Sequence, residues 1–173
     1  MSSPGLRTRR PGLLRVGYAP GAFDLFHIGH LNLLRRARLS CDHLIAGVVS
    51  DQMALQQKGQ LPVVPEQERL DIVASMEPVD EAILETHPDK LATWALLHFD
   101  VVFKGADWHG SARWVELERR FAEVGVQVVY LPYTRHVSTT LLRAEFARSG
   151  RDARPGRRTS QGPDVDRSPP PGD

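Results

Sequence analysis

The stretch Leu13–Ala37, LLRVGYAPGAFDLFHIGHLNLLRRA, decides how the rest of the chain is read. Leu13–Ala19 has the composition of a strand. Further on, Ile28, Leu31, Leu34 and Ala37 fall on one helix face. Between them, Gly21-Ala22-Phe23-Asp24-Leu25-Phe26-His27-Ile28-Gly29-His30 carries the chain from a strand end into a helix start. Gly21 permits a tight turn close to a ligand. A helix start offers free N–H groups and the positive end of a dipole, which suits phosphate. His27 and His30 can donate hydrogen bonds to phosphate oxygens there, and Gly29 would let a phosphate approach the backbone.

The same strand-then-helix unit recurs along the chain. Leu44–Val49 is a continuous apolar run with β-branched residues, as a buried parallel strand requires. Glu66–Glu77 has helical spacing with Leu70, Val73 and Met76 inward, and Ala82–Leu84 is a brief strand. Leu91, Trp94, Ala95 and His98 form another helix face, followed by a strand at Val101–Phe103. Trp114, Leu117, Phe121 and Val124 keep helical spacing, Val126–Leu131 is the last strand and Ser138–Ala147 the last helix. This alternation predicts an α/β fold, a doubly wound parallel five-stranded sheet with helices on both faces. Such sheets bind ligands beyond the carboxyl ends of their strands.

Charge is unevenly placed. The 173 residues carry 22 Lys and Arg against 21 Asp and Glu, a net charge of +1. Residues 1–15 hold four Arg and no acid, and residues 148–173 hold six Arg and four Asp, which leaves 12 basic and 17 acidic groups between. The body is therefore acidic, and the four Asp dilute the tail's basic charge, so strong nucleic-acid binding is not expected. Residues 1–12 and 148–173 are too poor in apolar side chains to offset the entropy of ordering, so both ends are expected to be disordered. A single cysteine, Cys41, excludes an internal disulfide framework. The longest apolar run falls far short of the ~20 residues that cross a bilayer. No apolar leader is visible, so a cytoplasmic location with no membrane partner is the expectation.

The later strand ends carry further polar groups. After the second strand come Asp51, then Lys58-Gly59-Gln60-Leu61-Pro62-Val63, then Glu66, Glu68 and Arg69. Taken alone, Lys58 is a solvated loop cation, and Arg69 pairs equally well with Asp71 or Glu66 on its own helix. After the fourth strand, Lys104-Gly105-Ala106-Asp107-Trp108 places a cation and a carboxylate together, although Asp107 could simply cap a turn. After the fifth strand, Pro132-Tyr133-Thr134-Arg135-His136-Val137-Ser138-Thr139-Thr140 ends in a helix cap that can also seat an anion. Two histidines at a helix start could equally be unliganded or hold a metal. No P-loop and no G-x-G-x-x-G turn is present.

The ten-residue string Gly21–His30 resembles the signature of the nucleotidyltransferase superfamily that shares the H-x-G-H motif, in the form found in cytidylyltransferases that act on glycerol 3-phosphate. That resemblance spans about residues 15–147 and implies a Rossmann-like nucleotidyltransferase domain over 13–147. It implies that His27 and His30 contact the triphosphate and stabilise the reacting α-phosphate, with Lys104, Ser138 and Thr139 in the catalytic set. Gly21, Ala22, Phe23, Asp24, Gly29, Arg69, Gly105, Asp107, Arg135 and Thr140 would bind nucleotide, and Lys58 and Asp51 the acceptor. The chain also departs from that branch. Gln60 stands where an Arg is usual, and Tyr133, Arg135 and His136 replace the Arg, Glu and Gly of R-T-E-G-I-S-T-T. Lys104-Gly105-Ala106-Asp107-Trp108 looks more like adenylyltransferases that act on heptose phosphate.

The implied reaction is attack by a phosphomonoester on the α-phosphate of a nucleoside triphosphate, releasing pyrophosphate. A phosphomonoester dianion is already a nucleophile, so catalysis reduces to positioning and charge neutralisation. CTP with a glycerol-3-phosphate-like acceptor is the first expectation, and ATP with a sugar or vitamin phosphate the alternative. A non-catalytic nucleotide-binding protein is a third reading. The resemblance further implies Mg²⁺ arriving with the triphosphate, with no dedicated metal ligands, and a homodimer.

Overall fold

A computed structural model describes residues 14–132, 134 and 138–152. The expected N-terminal arm, Arg135 and the tail beyond Asp152 lie outside the described residues. Five parallel strands, β1 (Val16–Gly21), β2 (His43–Val49), β3 (Glu81–Glu85), β4 (Val101–Gly105) and β5 (Gln127–Leu131), form one sheet. Their order is β3-β2-β1-β4-β5. The order reverses at β1, so the crevice for a ligand opens between the carboxyl ends of β1 and β4. Among the described residues, five α-helices connect the strands, α1 (Ile28–Arg38), α2 (Asp51–Lys58), α3 (Glu66–Ala74), α4 (Lys90–Leu97) and α5 (Ala112–Glu123), and α6 (Thr139–Asp152) follows β5.

Strand alternation sorts the core into two layers. Ala19, Leu44, Val48 and Phe103 pack under α1 and α3 with Leu34, Ala37 and Val73. Tyr18, Ile45 and Val102 face the other way and meet Phe99, Trp114, Leu117 and Phe121 of the α4–α5 side. Gly47 belongs to this second face. A Cβ there would sit 2.1 Å from the Tyr18 hydroxyl, so β2 must lack a side chain where the Tyr18 ring crosses it. Gly47→Ala is expected to destabilise the fold by about 1–3 kcal/mol through overpacking. A urea midpoint unchanged from wild type would refute that.

Several boundaries differ from the sequence reading. β1 continues through Pro20 to Gly21 instead of stopping at Ala19. Its pairing with β4 is confined to Gly17 and Tyr18, so the missing proline N–H removes no ladder bond on that side. Residues 51–58 are a helix, not part of a loop. Ser50 caps it by accepting from the Met53 amide, and Gly59 ends it at φ 70°. Its polar sequence buries only Met53 and Ala54, so the periodicity was too weak to read. α3 stops at Ala74, three residues short of Glu77, because Pro78 follows and the Ser75 amide closes the last turn. α6 runs to Asp152 instead of Ala147, with an Arg148–Glu145 ion pair on its surface. No helix among the described residues is long and apolar enough to cross a membrane.

Candidate active site

A cavity of about 480 Å³ opens at the carboxyl ends of β1 and β4. It is lined by Gly21, Ala22, Phe23, Asp24, His27, Gly29 and His30 from the first motif. Lys58, Lys104, Gly105, Asp107, Ser138, Thr139 and Thr140 join them from the later strand ends. Segments more than 100 residues apart in the chain thus meet in one place.

The loop after β1 is held in an uncommon shape. Phe23 and Leu25 have φ of 52° and 47°, a left-handed backbone that bulky side chains rarely adopt. Asp24 lies between them and is 3% exposed. Its carboxylate accepts from the Val63 and Val64 amides at 3.0 Å and pairs with Arg143 at 2.6 Å. Burial alone would raise this carboxyl; the Arg143 and amide hydrogen bonds together outweigh it and hold it below the ordinary carboxylate range. The Asp24 carbonyl also accepts from the Thr139 hydroxyl at 2.9 Å. Asp24 therefore fastens the start of α6 and the 61–64 loop to the end of β1. It is consumed by the protein, although it lines the cavity.

His27 is the N-cap of α1. Its Nδ1 accepts from the Gly29 amide at 3.1 Å, which places the proton of the neutral ring on Nε2 and leaves that N–H to donate. A Cβ on Gly29 would lie 2.8 Å from the His27 ring, so this glycine makes room for the imidazole. His30, one turn later, stacks on His27 with ring centroids 3.9 Å apart. Its Nδ1 is buried without a hydrogen-bond partner. Burial lowers the His27 pKa. Burial, then the His27 ring, push His30 down to about 3. Both imidazoles are therefore neutral near pH 7 and act as hydrogen-bonding groups.

Lys104, next to last in β4, reaches back to the Pro20 carbonyl at 3.1 Å. Its ammonium sits 4.9 Å from the Trp108 ring centre and 5.7 Å from that of Trp114. Burial, then the charge of Lys90, bring its pKa down to about 8. Ser138 caps α6 by accepting from the Leu141 amide at 3.1 Å. The starts of α1 and α6 both meet the cavity, so two helix dipoles favour an anion there.

Two expected ligand-contacting residues do not line the cavity. Arg69 is fully buried, and its guanidinium donates to the carbonyls of Val64 (2.8 Å), Ala22 (2.5 Å) and Val49 (2.8 Å) and to Asp51 (2.6 Å). Asp51 spends its carboxylate on that guanidinium and on the Glu66 amide. Arg69 is an internal brace between β1, β2 and α3, and Asp51 is its counter-ion. The sequence reading missed Arg143. Its one local signal is its position four residues after Thr139, which does not point to Asp24. Gln60, Thr134 and Trp108 also line the cavity.

An open parallel sheet, a histidine pair, a buried lysine and two converging helix starts together make a site suited to an anionic ligand. The family pattern described as cytidylyltransferase-like matches residues 18–145, and the chain belongs to that family. It is 42% identical over 101 residues to the Bifunctional protein HldE of Rhodospirillum rubrum, covering 58% of this chain and 20% of that protein. With the Bifunctional protein HldE of Rhodopseudomonas palustris it shares 37% identity over 145 residues, 82% of this chain and 28% of that one. The chain thus spans under a third of these relatives. A solved lipopolysaccharide core biosynthesis protein from Thermoplasma volcanium superposes with a TM-score of 0.61 at 26% identity, covering 72% of this chain and 99% of that one. Pantoate-beta-alanine ligase from Francisella tularensis shares the fold, with a TM-score of 0.57 at 16% identity over 79% of this chain and 69% of that one.

Proposed function

We propose that the chain is an adenylyltransferase that moves AMP from ATP to a sugar phosphate and releases pyrophosphate. The observation that carries this reading is Lys104, held at the cavity wall by Pro20, Trp108 and Trp114 in the Lys104-Gly105-Ala106-Asp107-Trp108 turn. That turn resembles adenylyltransferases acting on heptose phosphate. The relatives named HldE and the lipopolysaccharide core biosynthesis protein support a saccharide acceptor over glycerol phosphate.

An acceptor phosphate oxygen attacks the α-phosphorus while the bond to the β-phosphate oxygen breaks and the electron pair leaves with pyrophosphate. No base is required, since a phosphomonoester loses its second proton near pH 6. His27 and His30 hydrogen-bond the α-phosphoryl oxygens, while Lys104 and the α6 start neutralise the leaving pyrophosphate. Mg²⁺ enters with ATP as part of the substrate. No group of three or more metal-ligating side chains occurs among the described residues, and the lining Asp24 is already bound to Arg143. Lys58, at the end of α2 and lining the cavity, is the cation this reading assigns to the acceptor phosphate.

The test is pyrophosphate release by the full chain with Mg²⁺, each of four nucleoside triphosphates and a panel of phosphomonoesters. Turnover with ATP and an aldose phosphate is expected. Turnover with CTP alone would replace this reading by a cytidylyltransferase, and none with any pair would end it. The pH dependence has a definite sign. Lys104 serves as a cation, so kcat/KM is expected to fall as pH rises through about 8. Activity is also expected to fall below about pH 6, as the acceptor phosphate gains its second proton.

A further inference from the structure

Behind the cavity wall lies a second set of charged groups that the transfer does not touch. Glu85 ends β3 with its side chain fully buried, and the nearly buried Lys90 at the start of α4 pairs with it at 2.5 Å. The Thr93 hydroxyl adds a long contact at 3.4 Å. The buried Tyr18 hydroxyl lies near the same carboxylate. Isolated buried ion pairs contribute little net stability, since desolvation offsets their attraction. This pair therefore invites a reason other than stability.

Sheet register supplies one. Tyr18 pairs with Ile45 and Val102, Gly47 with Ile83, and Val49 with Glu85. Cross-strand partners share a face and residues two apart share a face. Tyr18, Gly47, Glu85 and Lys104 therefore project from the same face of four adjacent strands, with Glu85 and Lys104 at or next to the carboxyl ends of theirs. Gly47 contributes no side chain, and the Tyr18 hydroxyl occupies the gap. Two lysines and one glutamate thus share this layer below the cavity. Other charged groups act on Lys104 from Lys58 on α2 and Asp107 in the turn after β4, and Lys104 acts on His30 of α1.

We propose that Glu85 and Lys90 are positioning residues for the transfer, setting the charge that Lys104 presents to the phosphate chain. This rests on Lys104 binding phosphate as described above. Glu85 is the carboxylate that offsets Lys90 and lets a second ammonium persist on the same wall. Without it, Lys90 and Lys104 repel across a poorly solvated layer and Lys104 sheds its proton more readily.

The chain's three lysines, Lys58, Lys90 and Lys104, make a direct test possible. Full-length protein labelled with ¹³C at lysine Cε would show three titrating signals, assigned by single replacements. Glu85→Gln keeps an acceptor for Lys90 but removes the charge. It is expected to lower the Lys104 midpoint by about one pH unit and to move the basic limb of kcat/KM by the same amount. The double variant Glu85→Gln/Lys90→Met is expected to return both toward wild type. If Glu85→Gln does not fold, Glu85→Asp should shift Lys104 in the same direction by less. An unshifted Lys104 signal, or a rate loss equal at all pH values, would overturn the proposal. The titration needs no turnover, so it stays informative even if the proposed reaction fails.

Discussion

Replacing His27 by Asn is expected to lower turnover about 100- to 1000-fold, the usual loss for one preorganised donor to a charge-developing oxygen. Helix α1 should survive. The structural duty of His27 is to accept from the Gly29 amide, and Asn is among the best N-cap residues. In the proposed reaction the donor is the Nε2–H that this hydrogen bond leaves available, and Asn cannot supply a donor at the same place. His27→Ala loses both duties, so it should match the rate loss and also cost about 1 kcal/mol of stability. Turnover and thermal midpoints of the two variants separate the roles. Full turnover by His27→Asn would remove the histidine pair from the chemistry.

Arg69→Met is expected to destabilise the protein by about 3–5 kcal/mol, the range for breaking a buried charge network by removing one partner. The urea midpoint should fall by roughly 2 M for a domain of this size. The mechanism is the loss of a donor fork that serves three carbonyls and a carboxylate. Arg69→Lys should recover only part of the loss, because one ammonium cannot reproduce that planar geometry. The sequence resemblance made Arg69 a nucleotide ligand. A variant of unchanged stability with weakened ATP binding would restore that role. Unchanged affinity in the folded fraction fits the brace.

The contrast between these two residues shows what local sequence carries. His27 is legible because its cap, its glycine and its stacking partner all lie within four residues on one helix start. The same holds for the Ser138 cap, whose partner is the Leu141 amide. The bracing role of Arg69 is not legible locally, because its acceptors come from Ala22, Val49 and Val64, on three different segments. Arg143 was missed for the same reason: its counter-ion, Asp24, is 119 residues away. Helix α2 was missed because its burial is slight and its caps, Ser50 and Gly59, bracket a polar stretch.

The sequence by itself determined the α/β alternation, the strand ends that bear chemistry and the family. These depend on periodicity and on motifs a few residues long, and local steric and hydrogen-bonding rules act at that range. Only the tertiary structure decided which charges face the cavity and which face each other. An Arg or Asp can satisfy its charge in either place, and its choice depends on partners that only the packed sheet brings within reach.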